Sequence, residues 1–253
     1  MKLLLTFSYV GTDFCGYQVQ PKGRTVQGEL NRAARELFGF DCDVTGCSRT
    51  DAGVHANCFC AAITKAGEQT LETHIDVSRI PMALNAHLPA DIAVKQAGWV
   101  SEDFHPRYDV KYKEYVYRIC NSQTRDPFSV GRAWHIPHVF DASAVEKMNA
   151  AAQDFVGKHD FSAFMASGSQ VESTVRDVKY ATVTKTGDEI VFRVAADGFL
   201  YNMVRIMTGT LVAVAQGKID ADSIGEIIES KNRQRAGMTA PAEGLYLNSV
   251  VYR

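Results

Sequence analysis

Apolar and polar positions alternate from the first residues onward. Leu3, Leu5, Phe7 and Tyr9 fall on one face of a strand predicted over Lys2 to Val10, which Gly11-Thr12-Asp13 breaks. Phe14 to Arg24 reads as an exposed loop holding Tyr17, Gln18, Gln20, Lys22 and Arg24. Thr25 then caps a helix to about Gly39, with Val26, Leu30, Ala33, Ala34 and Leu37 on one stripe. A loop from Gly46 to Ala56 leads into an apolar strand, Cys58 to Ile63. A helix is expected over His74 to Leu84, with Pro81 counting against its middle, followed by a strand over Ile92 to Val100. Phe104 to Tyr108 forms a short aromatic and basic loop. The next strand, Lys111 to Cys120, places Tyr115, Tyr117 and Ile119 on one face and Glu114, Val116 and Arg118 on the other.

Past Arg125-Asp126-Pro127 the pattern starts again. Asp141 caps a helix carrying Val145, Met148, Ala152 and Phe155 and closed by Gly157; Ser167 to Thr174 is polar and loop-like. Strands over Arg176 to Lys185 and Glu189 to Ala195 meet at Thr186-Gly187-Asp188, the signature of a hairpin. Phe199 to Gln216 is the longest predicted helix, with Met203, Val204, Met207, Leu211 and Val214 at core spacing and Gly217 at its end. A shorter helix over Ala221 to Lys231 and a strand over Gly244 to Tyr252 close the chain. Hairpins and strand-strand-helix order predict an α+β fold with a mainly antiparallel sheet, in two halves, residues 1–105 and 106–253.

Composition narrows the functional classes only a little. Of 253 residues 46% are hydrophobic and 22% charged, as in an ordinary soluble globular protein. A formal net charge of −2 means that any site for a polyanion must be a local basic patch. The six cysteines form no C-x-x-C pair and suit buried free thiols in a reducing compartment. The apolar start, Met1 to Leu5, is cut short by Thr6 and Ser8, too early for a signal peptide, and no run approaches membrane-spanning length. A cytoplasmic protein with no membrane segment is expected.

The chemistry is concentrated in Gly46-Cys47-Ser48-Arg49-Thr50-Asp51-Ala52-Gly53-Val54-His55-Ala56. Metal ligation finds no better candidates than His135 and His138, which flank a proline, and Asp41-Cys42-Asp43 on a strand; no phosphate loop is present. Ser48 or Cys47 near His55 lacks the local signature of a nucleophile and its base. Asp51 remains. A carboxylate acts as a covalent nucleophile when it is held dry, ionised and aimed by a cation. Arg49 is the cation nearest in sequence, although the same residues also fit an Asx-type turn capped by Arg49. Arg205 lies among apolar neighbours in the long helix, where it either pairs with a carboxylate such as Asp51 or snorkels from the helix edge. Tyr17, Phe104, His105, Arg107, Tyr112 and Tyr115 combine aromatic and basic groups as surfaces for unstacked nucleotides do, and equally as packed strands do. The residues by themselves lead to an Asp-centred site beside a candidate base-stacking surface.

The stretch Gly46 to His55 closely resembles the motif G-x-G-R-T-D-A-G-V-H of the tRNA pseudouridine synthase A family. The likeness runs nearly end to end: Tyr9 to Gln18 resembles the family's opening Y-D-G-T-x-F-x-G-W-Q. Thr25 to Gln27, Leu84 to Pro89, Asp103 to Arg107, Phe199 to Arg205 and Ala242 to Leu247 also match in order. Two positions depart from the pattern, Ser48 for a usual Gly and Tyr17 for a usual Trp.

The resemblance implies a pseudouridine synthase fold, a mainly antiparallel sheet built from two related ferredoxin-like halves flanked by helices. It implies isomerisation of uridine to pseudouridine in the anticodon stem-loop of tRNA, with no cofactor and no metal, by a homodimer. By the same resemblance Asp51 is the nucleophile, Tyr115 stacks on the target base and takes part in the C5 proton transfer, Arg205 pairs with Asp51, and Arg49 flips the uridine out of the stem. Phe104, His105, Arg107 and Tyr108, and the loop Gly168 to Glu172, match segments that contact tRNA, with Glu172 acidic where a basic residue would help. Lys22, Arg24, Arg107, Lys111, Lys113 and Arg118 are the expected contributors to a basic cleft. A non-catalytic RNA-binding or folding protein on the same scaffold is the alternative, and it would not need Asp51, Tyr115 and Arg205 together.

Overall fold

The computed structural model describes residues 1–168 and 171–253, and the chain divides into two units, Met1–Lys111 with Leu247–Arg253, and Tyr112–Tyr246. In the first unit β1 (Lys2–Tyr9) buries Leu3, Leu5, Phe7 and Tyr9, the face its alternation predicts. The helix α1 (Val26–Phe38) follows. Thr25 caps it by accepting from the Gly28 amide, and Gly39 ends it in the left-handed conformation. Val26, Leu30, Ala33 and Ala34 are its buried stripe. Next come β2 (Cys42–Gly46) and β3 (His55–Lys65), which pair antiparallel from Cys42 with Lys65 to Gly46 with Ala61.

The helix expected over His74 to Leu84 is shorter than its sequence pattern. Asp76 caps a 3-10 turn at Val77–Arg79, and α2 spans only Ile80–Asn85. Pro81 sits in the first turn of α2, where a missing N–H breaks no helical bond, so the proline starts the helix rather than interrupting it. The strand β4 (Ile92–Val100) pairs antiparallel with β1, and β1 pairs antiparallel with β3, so β1 is central.

In the second unit the part of β5 (Val110–Cys120) from Lys113 onward runs antiparallel to β9 (Glu189–Ala196), β9 to β8 (Val175–Thr186), and β8 to β7 (Gly157–Asp160). The two-residue β6 (Trp134–His135) is parallel to the end of β5. The β8–β9 hairpin turns at Gly187 and Asp188, with Thr186 facing Glu189 and Gly187 at a φ of 57°. The helix α3 (Ala142–Gln153) is capped by Asp141, whose Oδ1 accepts from the Ala144 amide at 2.7 Å. Contrary to the sequence expectation it stops at Gln153, before Phe155, where the amides of Asp154, Phe155 and Val156 turn back to the carbonyls three residues earlier and tighten the last turn; Gly157, at a φ of 113°, then opens β7. Phe155 is still fully buried.

A further correction concerns the helix predicted from Phe199. The helix α4 begins at Met203 and ends at Ala215, 13 residues, the same length as α1. Asn202 stands before it with a φ of 60°, which a right-handed helix cannot contain. The helix α5 (Ile224–Ser230) and the last strand, β10 (Leu245–Tyr252), complete the elements. These units are mixed α+β with antiparallel pairing predominant, the expected class. Among the described residues no helix is long and apolar enough to cross a membrane. The expected loop Ser167 to Thr174 includes positions 169–170, which lie outside the described residues.

Candidate active site

Asp51 lies on the irregular segment between β2 and β3, half-buried, with its neighbours fixed on both sides. On one side Thr50 is buried; its Oγ1 shares a 2.7 Å hydrogen bond with the Tyr9 hydroxyl, and its carbonyl accepts from the Tyr17 amide at 3.1 Å. On the other side the Val54 amide donates to the Asp51 carbonyl at 3.2 Å, closing a turn through Gly53 at a φ of 79°. His55 is 1% exposed, and its Nδ1 accepts from the Gly11 amide at 2.9 Å. A ring nitrogen that accepts from an N–H carries no proton there, so His55 holds the loop through an unprotonated Nδ1.

Two glycines make this packing possible. A Cβ at Gly11 would lie 1.9 Å from the Val54 carbonyl oxygen, and one at Gly46 would lie within 2.7 Å of the Tyr17 ring and hydroxyl. Tyr17 is therefore not the exposed stacking residue that its loop position suggests. It is 3% exposed, its ring stacks on Phe59 at 4.4 Å, and burial pushes its hydroxyl above the usual tyrosine range. Arg49 is exposed beside the half-buried Asp51, and Ser48 is half-buried.

The segment 104–108 is built differently. The His105 amide donates to the Asp109 carboxylate at 2.8 Å, and its Nδ1 accepts from the Arg107 amide at 3.1 Å. The amides of Tyr108 and Asp109 both return to the His105 carbonyl. Phe104 packs edge-on against Tyr252 with ring centres 5.0 Å apart. His105 and Tyr108 approach to 4.2 Å, while Arg107 and Tyr108 are exposed, the latter by 69%. Burial and the cations Lys2 and Arg107 lower the His105 pKa, against the pull of Asp109.

In the second unit Tyr115 is 6% exposed on β5, facing Val194 of β9, and its ring meets Phe199 edge-on at 4.9 Å. Arg205 is the third residue of α4 and half-buried. Its Nε donates to the Ala240 carbonyl at 2.7 Å and its Nη1 to the Asn202 side-chain oxygen at 2.6 Å. The chain from Gly237 to Gly244 runs close against α4 and β5. The Gly237 amide donates to Thr210 Oγ1 at 2.9 Å, the Ala240 amide to the Arg205 carbonyl at 3.1 Å, and the Tyr117 hydroxyl to the Pro241 carbonyl at 2.7 Å. Burial raises the Tyr117 pKa, against an opposing pull from the Arg205 charge.

The expected basic residues divide. Lys22, Lys111 and Arg107 are exposed. Arg24 is held in a bidentate pair with Asp91 at 2.6 and 2.9 Å and a further bond to Glu29. Arg118 is paired with Glu189 at 2.5 Å, and Lys113 is 8% exposed. Three roles do not follow from the pattern of apolar and polar positions: Tyr9 and Thr50 as a clamp on the Asp51 loop, and Asn202 as a partner of Arg205. Only the last leaves a local trace, an i, i+3 spacing at the head of a helix.

A family model for tRNA pseudouridine synthases matches residues 5–109 and 151–253, which sets the chain in the class of isomerases that act on RNA. The chain belongs to the tRNA pseudouridine synthase family. It is 46% identical over 248 residues to a tRNA pseudouridine synthase A of Acetivibrio thermocellus, with 98% of each chain covered. It is 43% identical to the protein of the same name from Halalkalibacterium halodurans, over 95% of this chain and 89% of that one. The corresponding protein of Staphylococcus aureus is 39% identical, over 99% and 90%. A chain of a Cbf5-Nop10-Gar1 complex matches 96% of this chain and 57% of its own length at 12% identity, with a TM-score of 0.37. Asp51, Phe104 to Tyr108 and Arg205 fall inside the segments matched by the family model, and Tyr115 falls between them.

Proposed function

We propose that this chain converts uridine to pseudouridine at positions 38–40 of the tRNA anticodon stem-loop, with Asp51 as the nucleophile. The reaction breaks the bond from ribose C1′ to uracil N1, turns the base, and joins C1′ to C5. C5 loses a proton and N1 gains one, so substrate and product are isomers, and the balance calls for no cofactor or metal. It is the same whether the carboxylate attacks sugar or base. A stem base is reached only after extrusion, at a cost of about a few kcal/mol. Arg49, exposed next to Asp51, fills the space the base leaves. Tyr115 receives the base and takes part in removing the C5 proton. Arg205 pairs with Asp51, keeping it ionised and aimed.

Phe104, His105, Arg107 and Tyr108 contact the tRNA, and two copies of the chain assemble the basic cleft in the cytoplasm. The observation that carries the reading is the Asp51 loop itself, pinned on both sides and lying within the longer segment that matches the family. The test is to map pseudouridine in tRNA from cells that lack the gene and carry either the wild-type chain or Asp51→Ala. The wild type restores pseudouridine at positions 38–40 and the variant does not; restoration by Asp51→Ala would refute the assignment.

A further inference from the structure

Asn202 and Lys231 are the non-glycine residues with positive φ among the described residues, and Asn202 stands at the head of α4. Asparagine at that position ordinarily caps the helix by accepting from a first-turn amide. Here it makes no such bond. Its side-chain oxygen instead accepts from Arg205 Nη1 at 2.6 Å, while Arg205 Nε donates to the Ala240 carbonyl at 2.7 Å. The Ala240 amide in turn donates to the Arg205 carbonyl at 3.1 Å, so the acceptor for Nε is itself tied to the helix. A guanidinium is a planar fork, and holding it at Nε and at Nη1 sets both its plane and its direction. The left-handed backbone at 202 begins α4 at Met203 and turns the amide toward Arg205; asparagine is among the few residues that adopt it readily.

We propose that Asn202 is a positioning residue for the isomerisation, acting through Arg205: it trades helix capping for orientation of the guanidinium. This rests on the reading of Arg205 as the partner of Asp51. Asn202→Gly is the informative substitution, since glycine keeps the positive φ without strain and removes only the amide. Loss of a hydrogen bond to a charged group predicts a fall in kcat of about tenfold for Asn202→Gly. KM for tRNA and the Tm should be unchanged or, for the Tm, slightly raised. Arg205→Lys, which lacks the fork, should itself lower kcat, and adding Asn202→Gly to it should cost less than about a further twofold.

A wild-type kcat in Asn202→Gly, with a slow Arg205→Lys, would overturn the proposal and leave the reading of Arg205 standing. Equal losses in both backgrounds, or a lowered Tm, would show a structural role and overturn it as well. Wild-type kcat in Arg205→Lys would remove the reading of Arg205, and with it the role given to Asn202.

Discussion

The loop that carries Asp51 and the turn at 104–108 belong to the same unit and are held in opposite ways. Around Asp51 the neighbouring side chains are buried: Cys47, Thr50, Val54 and His55 are all under 9% exposed, and Tyr9 and Gly11 bond to the loop from β1 and the residues after it. Around Arg107 the backbone is fixed, by Asp109 and by bonds back to His105, but the side chains of Arg107 and Tyr108 are left in solvent. The contrast fits the two tasks proposed for them. A group that makes and breaks a bond gains from a backbone fixed to within a fraction of an ångström. A group that meets a phosphate backbone gains from reach and charge.

Breaking the first region should therefore cost far more than breaking the second. Asp51→Ala should lower turnover by about a thousandfold or more, with a Tm within a few degrees of wild type because the side chain is only half-buried. Single-turnover kinetics and thermal unfolding check both halves of that statement. Next in size is Gly11→Ala. Its Cβ would meet the Val54 carbonyl oxygen at 1.9 Å, so the backbone of the Asp51 loop must move. A loss of about 3 kcal/mol is expected, seen as a Tm lower by roughly 6–12 °C together with slower turnover. A Tm unchanged by Gly11→Ala would mean that the loop yields easily.

Arg107→Ala should act on recognition: tRNA affinity falls a few-fold, the dependence of log affinity on log salt becomes shallower by about one, and KM rises more than kcat falls. An unchanged salt slope would remove Arg107 from the interface. The smallest effect concerns His105, whose pKa is lowered by burial and by Lys2 and Arg107. The folded ring takes its proton at lower pH than the unfolded one. Its contribution to stability is therefore fully present above the ordinary histidine value of about 6.5 and is lost as pH falls through the folded value. The drop in Tm on going from neutral to mildly acidic pH should shrink slightly in His105→Gln; an enlarged drop would reverse the sign.

Much of this was legible in the sequence because it is local. The alternation of Leu3, Leu5, Phe7 and Tyr9, the Thr25 cap and the hairpin at Gly187 each rest on residues a few positions apart. The Asp51 loop was legible as a motif. What was missed depends on residues that only the fold brings together. Tyr17 is buried because Phe59 stacks on it and Gly46 leaves it room, neither of which the composition of its loop reveals. The clamp from Tyr9 to Thr50 joins β1 to the loop after β2. Helix ends depart from the apolar spacing where local backbone geometry decides: Asn202 at a φ of 60° delays the start of α4, and the bonds from the Asp154, Phe155 and Val156 amides to carbonyls three residues back close α3 before Phe155. Pro81 counts as a breaker only if the helix begins near His74; in the first turn of α2 it is a starter.

The account turns on Asp51 making a bond with the substrate rather than merely holding RNA. Every route to pseudouridine releases the hydrogen on uracil C5, so tRNA labelled with tritium at uridine C5 reports the chemistry separately from binding. With purified Asp51→Ala, tRNA affinity should stay within about threefold of wild type while tritium release falls to background. Tritium release at a rate near that of the wild type would contradict the account.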